Sequence, residues 1–121
     1  MISLDEIVAS FADNVACQEV AIRGGDHRRG NRCAKAYLAA FQRLREQGDP
    51  GREALCKLFE DSRESVRGMA AAFLLRYRTK EAEAILETLA RGKGMAAFGA
   101  GEALRRWKDG SWSLDPPEMP V

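Results

Sequence analysis

A single histidine, three cysteines and 18 acidic side chains are what this 121-residue chain offers for chemistry. His27 stands next to Asp26 and is followed by Arg28 and Arg29. A lone imidazole among cations at a helix start reads as a solvated surface group, because a general base needs a partner that holds and tunes it. Cys17, Cys33 and Cys56 are odd in number, and none of them has the short spacing to another cysteine or to His27 that zinc ligands show. Asp5, Glu6 and Asp13 supply carboxylates, but at positions that read as the polar face of a first helix. Gly92-Lys93-Gly94 has the residue types of a phosphate loop without the Gly-x-x-x-x-Gly-Lys-Ser/Thr pattern or a preceding strand. A turn between helices explains it. These residues point away from an enzyme, and no metal, cofactor or small-molecule substrate is expected.

The arginines are the more informative group. Arg outnumbers Lys 14 to 5, and the guanidinium fork suits carboxylate and phosphate, although a G+C-rich genome gives the same bias. Total charge is balanced, 19 basic against 18 acidic, so it favours neither nucleic acid nor a membrane surface. The distribution is uneven. Segments 1–22, 49–60 and 79–91 hold 10 acidic and 4 basic residues, whereas 26–47, 61–78 and 93–108 hold 5 acidic and 14 basic.

Those segments are helices by their pattern. Ala (19) and Leu (11) dominate, while Val, Ile and Thr together number 11, a composition that favours helix over sheet. Ser3 and Glu6 form a capping box, followed by an apolar stripe of Ile7, Val8, Phe11 and Val15. Gly24-Gly25 ends that helix and Asp26 caps a second, with the stripe Cys33, Tyr37, Phe41 and Leu44. Asp49 as cap and Pro50 at the first helical position start a third, carrying Leu55, Leu58 and Phe59. Asp61-Ser62 breaks it. A fourth follows with Val66, Ala70, Phe73, Leu74 and Tyr77. Thr79 caps a fifth with Ala82, Ile85, Leu86 and Leu89. A sixth carries Phe98, Leu104 and Trp107 and stops at Gly110. Cys17 and Cys33 each lie eight residues from Gly25, so antiparallel helices set them at one height, as a neighbouring pair of free thiols with a disulfide as the remote option.

The helices repeat. Offset by 29, Met69, Ala71 and Leu75 match Phe98, Ala100 and Leu104; offset by 30, Ala54, Leu55 and Phe59 match Ala84, Ile85 and Leu89. Near-constant spacing of helix pairs marks a solenoid. Asp61, Val66, Arg67, Ala70 and Ala71 resemble the Asp-x-x-x-x-Val-Arg-x-x-Ala-Ala signature of HEAT repeats. Asp26-x-x-x-x-Asn31-Arg32 and Phe98-x-Ala100-x-x-x-Leu104-x-x-Trp107-x-x-Gly110 resemble a small bacterial HEAT-like family catalogued only as a domain of unknown function. Gly101 departs from that pattern, where a larger polar residue is the norm. The resemblance covers about residues 5–115 and implies the fold. Several bacterial immunity proteins share the early Asp/Glu-x-x-x-x-Asn-basic element, which brings an immunity role into view by analogy.

The fold expected is therefore one all-α domain over 1–121, a short right-handed α-solenoid of about three antiparallel helix pairs (3–47, 49–78, 79–108). An extended tail over 109–121 brings Trp112 back over the last pair. Asn31 is expected to tie the first turn through its amide, and the small residues around Gly99 to admit a neighbouring helix. In HEAT stacks the second helices line the concave side, which here gathers Arg28, Arg29, Arg32, Lys35, Arg63, Arg67, Arg105 and Arg106. The function expected is non-enzymatic binding of an acidic protein partner by that face, as an immunity or adaptor protein. Nucleic acid on the same arginines is the alternative; internal salt bridging is the bland one. The amino terminus has no secretory signal and the longest apolar run, 69–75, is far too short for a membrane span. The chain is read as cytoplasmic.

Overall fold

Each helix begins and ends where local chemistry dictates. In the computed structural model, which describes residues 2–115, the Ser3 hydroxyl accepts from the Glu6 amide at 3.1 Å and Glu6 reaches back to the Ser3 amide, opening α1 (Leu4–Arg23). Gly25, at φ 76°, turns the chain. Asp26 then accepts from the Arg29 amide at 3.0 Å to start α2 (His27–Glu46). The remaining helices are α3 (Asp49–Cys56), continued by a 3-10 turn over Lys57–Glu60, then α4 (Glu64–Phe73), α5 (Thr79–Ala90) and α6 (Met95–Asp109). No strand occurs among the described residues.

Three local expectations are corrected. Asp49 is the first residue of α3 and caps nothing by its side chain, because the left-handed Gly48 already completes the turn. Thr79 also opens its helix without capping it, since its hydroxyl donates backwards to the Leu75 carbonyl at 2.6 Å. α4 stops at Phe73, where the amide of Leu74 is drawn to the carbonyls of both Ala70 and Ala71, so Tyr77 lies in the following turn.

The apolar stripes of α1 and α2 are buried as their spacing requires. They meet around Phe73, whose ring lies 5.6 Å from Phe11, 6.5 Å from Tyr37 and 4.4 Å from Phe41. Truncating such a buried ring costs about 3–5 kcal/mol. A second core joins Ala71, Leu75, Leu86, Leu89, Ala100 and Leu104. Trp112 returns to it: the indole is 7% exposed, stands edge-on to Trp107 at 5.3 Å and donates to the Ala72 carbonyl at 2.7 Å. α3 can approach α2 because residue 51 is glycine; a β-carbon there would overlap the Leu44 carbonyl.

Packing order matters for everything that follows. α1 packs on α2 and on α4, α2 packs on α3, and α4 packs on α5 and α6. Thus the backbone of α1 lies nearer to α4 than that of α2, whose Tyr37 and Phe41 reach α4 through their rings at Phe73. The tail beyond Asp115, with Pro116, Pro117 and Pro120, lies outside the described residues.

Candidate partner-binding surface

Four helix ends meet at one end of the molecule. The α1–α2 turn brings the carboxyl end of α1 against the start of α2, where the Gly30 backbone meets Ile22 and Ala21. The starts of α4 and α6 face the carboxyl end of α1 across a cleft lined by Glu19, Arg23, Arg63, Glu64, Lys93 and Met95, among others, with no residue of α2 in its lining.

The arginines at this end fall into two kinds. Arg28, Arg29 and Arg32 are exposed, and no ion pair holds them among the described residues. Lys35 is exposed too, and with Arg28 and Arg32 it follows i, i+4, i+7 spacing along one strip of α2. The first turn of α2 contains no acidic residue. Cations there oppose the helix dipole, so the fold gains nothing from them. Asn31 is exposed beside them and makes no side-chain hydrogen bond among the described residues, which corrects its expected role in the turn.

Arg63 and Arg67 are built into the scaffold. Arg63 grips Asp61 with Nε at 2.9 Å and Nη2 at 3.0 Å, and reaches Asp13 of α1 at 3.2 Å. This bonding lifts the Arg63 pKa and holds the Asp61 carboxyl below the ordinary carboxylate range. Asp61 also accepts from the Arg63 amide at 2.9 Å, and its carbonyl accepts from Arg67 at 2.8 Å. Together they tie the turn into α4. Arg105 is occupied by Glu102 at 2.8 Å and Asp109 at 3.3 Å on its own helix. Arg106 is exposed without an ion pair among the described residues. Both sit ten or more residues along α6 from its start, roughly 15 Å from the basic end. The eight cations of the sequence reading therefore fall into three sets: Arg28, Arg29, Arg32 and Lys35 exposed on α2, Arg63 and Arg67 bonded at the turn into α4, and Arg105 and Arg106 far along α6.

Two features differ from the sequence reading or are absent from it. Asp115 is fully buried between Arg45 and Arg52, each at 2.9 Å, and Arg52 also lies 3.9 Å over the Tyr77 ring. Its position three residues after Trp112 was the available signal, but only the folded tail shows which cations it meets. The second is Phe98, expected in the core of α6 but 72% exposed. Ala97, Ala100 and Leu104 bury the other side of α6 instead. A groove of about 110 Å³ lies between α1, α4 and α6, lined by Val15, Met69, Ala72, Met95, Ala96 and Gly99 among others, and Phe98 is not part of its lining.

The cysteines need a correction. Cys17 and Cys33 are neighbours, but as a disulfide joining α1 to α2, not as free thiols. Their Cα separation of 6.0 Å is what a disulfide spans. Cys56 is free and half-buried, and burial pushes its thiol pKa up, away from thiolate reactivity. Among the described residues no group of three His, Cys, Asp or Glu side chains is placed to hold a metal ion, and no helix is long and apolar enough to cross a membrane.

No family model matches the chain, and no curated protein does. Among solved structures, the chain is similar to the crystal structure of the protein RPA1889 from Rhodopseudomonas palustris. The two are 28% identical with a TM-score of 0.86, over 98% of this chain and 96% of that one. The chain therefore shares an all-helical fold along nearly its whole length with a bacterial protein.

Proposed function

We propose that the chain is a non-enzymatic protein-interaction module, an immunity or adaptor protein on a short right-handed HEAT-like stack of about three helix pairs. Its basic end binds an acidic surface of a protein partner. The observation that carries this is the state of Arg28, Arg29 and Arg32: exposed and without carboxylate partners among the described residues, the first two also set against the dipole of their own helix. Charges that cost stability and satisfy nothing inside the fold are suited to steering a partner of opposite sign. The reading moves the binding surface from the eight cations of the sequence to the start of α2, with Arg63 and Arg67 as its support. It keeps the protein in the cytoplasm. Disulfides persist mainly in oxidising compartments, so the Cys17–Cys33 bond weighs against that placement, and trapping the cysteines at cell lysis decides it.

The test is a pull-down from the native lysate with three forms: wild type, Arg28→Glu/Arg29→Glu/Arg32→Glu, and Arg105→Glu/Arg106→Glu. One protein held by wild type and the α6 variant, and lost from the α2 variant, is the expected result. Equal capture by all three sinks the proposal. Binding to random-sequence DNA that falls steeply with salt and is lost from the α2 variant replaces it with the nucleic-acid reading.

A further inference from the structure

The Cys17–Cys33 bond stands at a boundary in the fold. Neither hydrophobic core takes a residue from 17 through 33: the first core ends on α1 at Val15 and Ala16 and resumes on α2 at Ala34 and Tyr37. Between the two cysteines only Ala21 and Gly30 are buried. Gly30 meets Ile22 and Ala21 of α1, and the Asp26 cap holds the turn. No hydrogen bond or ion pair joins residues 18–32 to α3, α4, α5 or α6 among the described residues. The end of α1 instead faces the starts of α4 and α6 across the cleft, with the groove of about 110 Å³ beside it. The hairpin end that carries Arg28, Arg29 and Arg32 therefore projects from the body, and one covalent bond crosses its base.

A segment with so few buried apolar contacts can open locally while the cores stay intact. A cross-link at its base opposes that opening by limiting the conformations the loosened chain can reach. The two sulfurs differ in access. Cys17 is half-buried and Cys33 is 5% exposed, so a thiolate from solvent reaches the Cys17 sulfur first. Attack there breaks the bond to Cys33 and forms a mixed disulfide on Cys17. Cys33 leaves as a thiolate and takes a proton from water. A second thiolate attacks the outer sulfur of the mixed disulfide, departs as the small-molecule disulfide and returns Cys17 as a thiol. Two small thiols are oxidised, and the cysteine pair gains two electrons and two protons. In the reverse direction Cys33 resolves the mixed disulfide on Cys17.

We propose that Cys17 and Cys33 form an exchange site for a low-molecular-weight thiol and its disulfide, and that their bond sets the order of the arginine-bearing hairpin end. Oxidised, the end is held in one arrangement, and its cations meet an acidic partner without a further ordering cost. Reduced, the end opens while both cores stay packed. The exchange and the opening follow from where the bond lies; the consequence for binding rests on the function proposed above.

The experiment equilibrates the full-length chain with glutathione and glutathione disulfide at set ratios and follows hydrogen exchange peptide by peptide. Alkylation and mass measurement give the fraction of Cys17 and Cys33 that is bridged. Cys17→Ser/Cys33→Ser reports the unbridged state without any thiol present. Reduction should speed exchange at residues 19–32 by about tenfold or more, leaving α4 and residues 37–44 unchanged. The serine variant should exchange like the reduced chain under every condition, and binding of poly-L-glutamate should weaken in both. Equal exchange in the bridged and reduced chains overturns the proposal. So does acceleration spread evenly over the whole fold, which would make the bond a general staple. A bond that glutathione leaves intact in the folded chain overturns the exchange site. Opening without loss of poly-L-glutamate binding overturns the control of binding and leaves the arginine reading standing. Binding by neither form sinks that reading and the control of binding together, while the exchange data still judge the site.

Discussion

The two ends of α2 carry the same residue type in opposite circumstances. At the start, Arg28, Arg29 and Arg32 stand in solvent, and the helix dipole works against the first two. At the far end, Arg45 joins Arg52 in enclosing a carboxylate that has no exposure at all. The second arrangement is bound up with stability: Asp115, only three residues past the buried Trp112, locks the returning tail to α2 and α3. The first contributes nothing to folding. The comparison teaches that arginine content says little until each guanidinium's partner is known, and that the unpartnered ones mark the surface left for another molecule.

The contrast breaks most readily at Asp115. Replacing it with alanine leaves two largely buried cations facing one another, and stability should fall by about 3 kcal/mol, the usual cost of removing one member of a buried ion pair. Urea denaturation measures this. A loss under about 1 kcal/mol would mean the tail is not held by its carboxylate.

A smaller effect is expected at the turn into α4. Asp61→Ala removes an acceptor for the Arg63 amide and the anchor of the Arg63 side chain, a loss of about 1 kcal/mol. It also has a pH signature. Bonding to Arg63 depresses the Asp61 pKa in the folded state, so its stabilisation is complete above the unfolded carboxylate pKa of about 3.9. That stabilisation is lost as pH falls through the lower folded value. Melting curves of wild type and variant should therefore converge in strong acid and separate above about pH 4; parallel curves at all pH values would remove Asp61 from the scaffold.

The smallest effect has the opposite sign. Arg28→Glu with Arg29→Glu turns the first-turn charge of α2 in favour of the dipole, and stability should rise by a few tenths to about 1 kcal/mol. If the double variant is instead clearly destabilised, the two arginines belong to the fold and the distinction between the ends of α2 disappears.

Local signals carried a good part of this architecture. The capping box at Ser3, the Asp26 cap, the glycine at 25 and the stripes Ile7–Val8–Phe11–Val15 and Cys33–Tyr37–Phe41–Leu44 all stand where spacing puts them. Trp112 returns to the core as a large indole in a short tail should. Periodicity failed at Phe98, because the 29-residue offset aligns it with the core-packed Met69 while α6 turns Ala97, Ala100 and Leu104 inward instead. Equivalence in register is not equivalence in burial when the neighbouring helix is absent on one side.

What the sequence alone determined is thus the set of six helices, most of their ends and which stripe of α1 and α2 is buried, since those follow from contacts within a few residues. The tertiary structure alone decided that α1 lies on α4, that Asp61 and Asp13 occupy Arg63, that Asp115 takes Arg45 and Arg52, and that Cys17 and Cys33 bond. These depend on how whole faces fit together across the chain. Side-chain period fixes the face a helix buries, but not the helix that it meets.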